Sequence, residues 1–338
     1  MSAATRLQYY RRILPAYLGS GRSQLAFWHE APEINPRAQL SVHSDTGAHV
    51  ATRRLGPYYM SFREKADYAG PYDSSGIPLL DYRGAIGRQY NPIAIAQWGL
   101  ANYNRFCEDP NASRLRRTLN AADWLTANLE LNSHGLRVWN HHFDWEYRNM
   151  LKAPWYSGLA QGQGVSLLLR AHTQTGDEKY LRAAGLAFVS LTRPIAQGGV
   201  LLEDENKNLW IEEYLVDPPT HILNGFMWAL WGAFDFWVAR GDAPAKQIFN
   251  RGVRTLLHNL GRFDTGYWSL YEQSGTQLKM LASPFYHRLH IVQLRIMANL
   301  AGERRFAEVA DRWEGYALRR ANRSRALVEK SIFKLIHY

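Results

Sequence analysis

Apolar and polar positions along this chain repeat with helical periodicity in stretches that fall into pairs: about 92–107 with 112–130, 155–175 with 178–192, 220–240 with 243–260, and 285–301 with 303–318. The pairs begin at Pro92, Trp155, Thr220 and Phe285, which lie 63, 65 and 65 residues apart, a near-constant spacing that predicts one helix hairpin repeated four times. Between the pairs, 136–147 (LRVWNHHFDWEY), 199–214 and 266–272 (GYWSLYE) read as extended segments, so each repeat is helix, helix, short hairpin. Such hairpins cannot bury both faces alone, and closing them into an α/α toroid leaves the inner helices ending around one central cleft. The expected fold class is mainly α, an α/α toroid of about four helix hairpins with a small β-containing N-terminal region. In that region 1–36 reads as a helix and then an irregular segment. Alternation at His49-Val50-Ala51-Thr52 and Tyr58-Tyr59-Met60-Ser61-Phe62 suggests short strands, and 72–87, rich in Gly, Pro and Asp, a loop. The implied division is 1–85 for the helix and β-hairpin region, 86–320 for the toroid and 321–338 for a basic tail.

Within this plan the densest run is 209–230, LWIEEYLVDPPTHILNGFMWAL. Trp210, Ile211 and Tyr214 favour a strand, Pro218-Pro219 stops it, and Thr220 is the expected N-cap of the helix that follows. Alternation puts Glu212 and Tyr214 on one face and Glu213 on the other, unless a bulge or turn reverses them. Taken alone, the segment reads more readily as an acidic strand end facing water, and the case for chemistry comes from the other segments. A proline also stands near each inner-helix start: Tyr90-Asn91-Pro92, Pro154-Trp155-Tyr156, Pro218-Pro219-Thr220 and Pro284-Phe285-Tyr286. Proline suits a first helical turn, but that does not account for the polar aromatics beside it, which with free backbone N–H groups would make a ring fit to hold a carboxylate and hydroxyls.

Composition narrows the picture. The 338 residues, 46% hydrophobic and 13% aromatic, suffice for a full core, and the single cysteine, Cys107, excludes an intrachain disulfide. The basic N-terminus lacks a signal-peptide core and 221–237 is too short and too interrupted for a span, so a cytoplasmic location is expected. A net charge of +10 favours an anionic partner. Basic residues are scattered without a nucleic-acid motif, so no nucleic acid is expected. An acidic polysaccharide fits, while peripheral membrane contact through the basic run 319–334 and a homodimer stay open. His141-His142 lacks a further ligand, as do His287 and His290, so no metal is expected.

Four groups of residues together carry a family resemblance. These are Gln89-Tyr90-Asn91-Pro92 with Ala96-Gln97-Trp98-Gly99-Leu100; Trp155-Tyr156-Ser157-Gly158-Leu159-Ala160-Gln161-Gly162-Gln163; Glu212-Glu213-Tyr214 leading to Leu223-Asn224-Gly225-Phe226-Met227; and Tyr286-His287 followed by His290-Ile291 and Gln293-Leu294. In this order and at this spacing the chain resembles the D-glucuronyl C5-epimerases of heparan sulfate synthesis from about residue 85 to 318. The resemblance implies a β-rich N-terminal part, a toroidal catalytic domain, no redox cofactor, and conversion of D-glucuronic to L-iduronic acid within a heparosan-like chain. It places the functional set on Glu213, Tyr214, Tyr271 and Tyr286. Leu215 stands where the family has proline, and Tyr271-Glu272-Gln273-Ser274 where it has Tyr-Asp-Leu-Arg, with Arg288 a candidate for the missing arginine.

The implied reaction removes a weakly acidic proton α to a carboxylate and returns one from the opposite face. It needs an acid and a base tuned near the working pH, and donors for the developing enolate. Glu213, its pKa raised by burial, is the expected base, and Tyr286 the expected acid. Tyr271 and Tyr214 would bind the uronate and adjust both. Tyr90, Gln97, Tyr156, Gln161, Gln163, Asn224, His287, Arg288 and His290 are the expected substrate-binding set. The competing readings are a polysaccharide lyase eliminating across C4–C5 and a non-catalytic acidic-glycan-binding protein.

Overall fold

A computed structural model of the chain describes residues 26–38, 55–147 and 150–337. The four expected helix pairs are α1 Pro92–Glu108 with α2 Ala112–Ala127, α3 Gly158–Thr175 with α4 Glu178–Phe188, α5 Leu223–Arg240 with α6 Ala243–Asn259, and α7 Pro284–Ala301 with α8 Arg304–Leu318. Each pair packs as a hairpin, and the first helices pack in turn, α1 on α3, α3 on α5 and α5 on α7, making the inner wall of an α/α toroid.

The sequence distinguishes inner from outer helices. Gly158–Ala171 of α3 and Leu223–Phe236 of α5 are buried without interruption, as helices enclosed on all sides must be. Outer α6 instead buries Ala245, Ile248, Phe249, Gly252, Val253, Leu256 and Asn259, a single stripe at three- and four-residue steps. Gly176, Gly241 and Gly302, with φ of 71°, 65° and 67°, end α3, α5 and α7 in the left-handed conformation that glycine adopts without strain. After two of them an aspartate caps the outer helix: Asp177 accepts from Lys179 N, and Asp242 from Ala245 N. Two further glycines set the spacing of the inner wall: a Cβ on Gly162 would lie 2.6 Å from Ala229 Cα, and one on Gly232 2.5 Å from Gly162 Cα.

The connections carry four two-stranded antiparallel ribbons: β1 Leu80–Asp81 with β2 Arg88–Gln89, β3 Glu130–Leu131 with β4 Arg137–Val138, β5 Trp145–Glu146 with β6 Met150–Leu151, and β7 Leu201–Glu203 with β8 Leu209–Ile211. The expected loop at 72–87 thus includes β1. The extended segment at 266–272 forms isolated bridges, Asp264 to Ser269 and Leu270 to Leu281, and no ribbon.

Tyr58–Phe62 is not the expected strand; one bridge, Met60 to Ile34, is all the pairing it makes among the described residues. Its side chains pack into the helices instead. The segment crosses the C-terminal parts of α1, α3 and α5: Tyr58 N donates to Asn104 Oδ1 (2.6 Å), Tyr59 Oη to Asp235 Oδ1 (2.5 Å), and Arg170 Nε to Gly56 O (3.0 Å). Arg170 also ion-pairs with Asp235 at 2.6 Å, both fully buried, while the Tyr58 ring lies parallel to Trp228 at 6.2 Å. Segment 55–62 therefore fills the end of the toroid away from the inner-helix N-termini. The helix expected at the start of the chain and the strand at His49–Thr52 lie outside the described residues.

The basic run at 320–337 forms a further helix, α9 Arg320–His337, whose Ala326, Lys330 and Phe333 are buried. Among the described residues no helix is long and apolar enough to cross a membrane.

Candidate active site

Strand β8 ends at Ile211, and Glu213 and Tyr214 form a bend, so strand alternation stops before the acidic pair and does not decide which way each carboxylate points. Glu212 O accepts the Gly158 N–H at 2.9 Å, and a Cβ on Gly158 would lie 2.6 Å from that oxygen. This presses the bend against the start of α3. The Glu212 side chain turns to His221, accepting from its backbone N–H at 3.1 Å and meeting Nδ1 at 2.5 Å, with the imidazole stacked on Trp210. Glu213 goes the other way, to the start of α5. A Cβ on Gly225 would stand 2.1 Å from Glu213 Oε2, so the carboxyl occupies the space a side chain would take.

Helix α5 begins at Leu223, not at Thr220, and its N-cap Ile222 supplies no side-chain bond, unlike Asn91, Ser157 and Ser283 at the other inner helices. Leu223 N donates to Tyr271 O at 3.2 Å and Gln273 N to Thr220 O at 2.7 Å, which draws the 271–273 segment alongside. Asn224 Nδ2 reaches Glu213 Oε2 at 3.5 Å, while its Oδ1 is buried without a partner.

Four tyrosines gather here. Tyr271 and Tyr286 meet edge to face at 4.8 Å between centroids, and Tyr214 lies 4.5 Å from Tyr147 and 5.7 Å from Trp155. Burial pushes the Glu213 carboxyl up to about 8, Glu212 and Glu272 add to the rise, and a Tyr214 hydrogen bond moderates it. Burial and then the Glu213 charge hold Tyr214, Tyr271 and Tyr286 above the ordinary phenol range. One carboxyl poised near neutrality is thus surrounded by three phenols that stay protonated. That is a proton acceptor with proton donors beside it.

The structure gathers Glu213, Tyr214, Tyr271, Tyr286 and Asn224, but not the whole expected set. Tyr90 Oη donates to Asp73 Oδ2 (2.7 Å) and Tyr156 Oη to Gly198 O (2.9 Å). Gln161 is engaged with the Trp139 backbone, as donor and acceptor, and Gln97 Nε2 bonds Gln163 Oε1 at 3.1 Å deep between α1 and α3. These three glutamines tie elements together. His287 Nδ1 accepts from Ser269 N and its Nε2 lies 2.9 Å from Trp313 O, fixing a neutral ring whose pKa burial lowers to about 4. It therefore braces α7 and offers no donor to a substrate. Arg288 is exposed and, two residues past Tyr286, projects to nearly the opposite side of α7, so it does not replace the missing arginine. His290 Nδ1 meets Ser269 Oγ at 3.1 Å, and its buried Nε2 has no partner.

Three neighbours were not singled out by sequence reasoning. Tyr147, on the β5–β6 connection, donates to Glu272, which is buried beside Glu213. Lys330 of α9 donates to Leu281 O at 2.5 Å, with its ammonium 5.9 Å from the centroid of Tyr271. Glu272 stands where the resemblance has aspartate, which was a signal; Tyr147 and Lys330 carried none, because nothing local marks a contact made over more than a hundred residues or from a basic run. Among the described residues no group of three or more His, Cys, Asp or Glu side chains is placed to hold a metal ion.

Comparison with known proteins places the chain in a family. A family model described as "D-glucuronyl C5-epimerase C-terminus" matches residues 132–315, a stretch that includes Glu213, Tyr271 and Tyr286. The chain belongs to this family. It is 33% identical to the D-glucuronyl C5-epimerase of Caenorhabditis elegans over 212 residues, 58% of this chain and 34% of the nematode protein. It is 29% identical over 198 residues, again 58% of the chain, to an uncharacterised protein of Methanocaldococcus jannaschii, covering 63% of that protein. The chain therefore spans less than two thirds of the length of either relative. Among solved structures, an unsaturated glucuronyl hydrolase of Bacillus sp. GL1 is similar over 66% of this chain and 61% of that one, at 16% identity and a TM-score of 0.47.

Proposed function

We propose that the chain epimerises D-glucuronic acid to L-iduronic acid at C5 within a heparosan-like polysaccharide, with Glu213 as base and Tyr286 as acid. The observation that carries the reading is that Tyr214, Tyr271 and Tyr286 all surround one carboxyl, Glu213, whose pKa is pushed up to about 8. Glu213 takes the C5 proton while the C5–H electron pair delocalises into the C5–C6 bond, so that negative charge builds on the carboxylate oxygens of an enolate-like intermediate. Tyr286 then gives its hydroxyl proton to the other face, and solvent returns the proton balance through the tyrosines. Lys330, the nearby cation, and Asn224 oppose the negative charge that builds on the uronate. Family membership and the charge of +10 support an acidic glycan as substrate.

The test is incubation of heparosan, and of its N-sulfated form, in deuterated water. Deuterium at C5 with iduronate and no cleavage supports the proposal. A shortened chain with an ultraviolet-absorbing unsaturated end would assign a lyase, and binding without exchange a glycan-binding protein.

A further inference from the structure

The proposed reaction leaves a proton on Glu213 and takes one from Tyr286, so each turnover has to be followed by transfers that restore both groups. Glu213 is buried, its carboxyl filling the space beside Gly225. A proton leaves such a position most readily along hydroxyls and carboxyls in series, and one series leads outward from it. Tyr214 hydrogen-bonds Glu213, and the Tyr214 ring lies 4.5 Å from that of Tyr147, the two planes tilted by 44°. The Tyr147 hydroxyl donates in turn to Glu272 Oε2.

This far end of the series stands where two surface segments meet. Tyr147 follows exposed Glu146 on the β5–β6 connection, and Glu272 is the last buried residue before 273–279, which is half-buried to exposed throughout. Glu272 itself is 2% exposed. As a second carboxyl in the same enclosure it opposes the ionisation of Glu213. The same closeness makes it a place for the Glu213 proton to go, since neighbouring carboxyls can share one proton between them.

We propose that Tyr147 and Glu272 are the proton exit of this site. The Glu213 proton passes to the Tyr214 oxygen as the Tyr214 proton passes to Tyr147 and the Tyr147 proton to Glu272. Glu213 is then ionised, both phenols are neutral, and Glu272 carries the proton until solvent takes it. Solvent also returns a proton to the Tyr286 phenolate, so the cycle closes without net change. Tyr147 and Glu272 act through Glu213, and the proposal rests on Glu213 being the base.

The test compares a single turnover with repeated ones, using the full chain and heparosan tritiated at C5 of glucuronate, above about pH 8, where Glu213 starts ionised. With enzyme in excess, Tyr147→Phe and Glu272→Gln release label at the wild-type rate. With substrate in excess their turnover falls about 10²-fold, as for a lost proton-transfer group, and added imidazole, a small proton carrier, restores it. Glu213→Gln differs by failing in the first turnover as well. Equal loss in both regimes without a response to imidazole makes the pair a brace and overturns the proposal. So does wild-type turnover in both variants, which strikes the exit and leaves the reaction standing. A wild-type chain that releases no label removes the reaction, and the exit with it.

Discussion

At the scale of single residues, the proposed reaction turns on one carboxyl. Glu213 is held by the absence of a side chain at Gly225, so Gly225→Ala must displace it; we expect activity to fall by at least tenfold with the fold intact by circular dichroism, and normal activity would show the contact to be slack. Glu213→Gln and Tyr286→Phe should each lower turnover by about 10²-fold or more, the usual scale for a lost acid or base, while binding persists. The two should differ in which labelled uronate, glucuronate or iduronate, they fail to exchange. Since Glu213 must be ionised to act as base, kcat/KM should climb with pH towards a plateau above about 8. The same shift acts on stability with the opposite sign. Unfolded, this carboxyl ionises near 4.5; folded, it holds its proton until about 8, so stability falls as pH rises between those values. Glu213→Gln removes that term, and its Tm advantage over the wild type, measured by calorimetry, should widen from pH 5 to pH 8.

At the scale of elements, the outer helices were legible because one buried face imposes a 3.6-residue period, as in α6, and inner α5 because enclosure makes its run almost wholly apolar. Their ends were legible where Gly176-Asp177 and Gly241-Asp242 turn the chain. The acidic pair was less so: where β8 stops is decided by contacts with the starts of α3 and α5, and no local pattern reports them. Tyr58–Phe62 alternates like a strand yet serves as packing, because its aromatic rings find Trp228 and Trp231 where a strand would find a partner. In the candidate site, Glu213, Tyr214, Tyr271 and Tyr286 were readable only as a family pattern. Tyr147 and Lys330 depend on tertiary placement alone. The inner wall makes its own prediction. Gly162→Ala or Gly232→Ala forces α3 and α5 apart and should cost about 1–3 kcal/mol in denaturant unfolding. A loss below a few tenths would mean that the helices separate freely.

At the scale of the whole molecule, the formal charge of +10 and the proposed polyanionic substrate together predict that affinity for heparosan drops steeply between low and physiological salt, as screening shortens the reach of each charge; salt-insensitive binding measured by calorimetry would remove charge from the account. Segment 55–62, pinned by Tyr59 on Asp235 and by Arg170, has a consequence for how a polymer is handled. A barrel stopped at one end cannot be threaded. On the proposed reading a long glycan would drape over the inner-helix N-termini and dip one uronate inward, anywhere along its length, and conversion would need no chain terminus and gain nothing from travel along the strand. Heparosan blocked at both ends with bulky beads should be converted at the initial rate of free chains of equal length, and a demand for a free terminus would mean that the stopper moves aside.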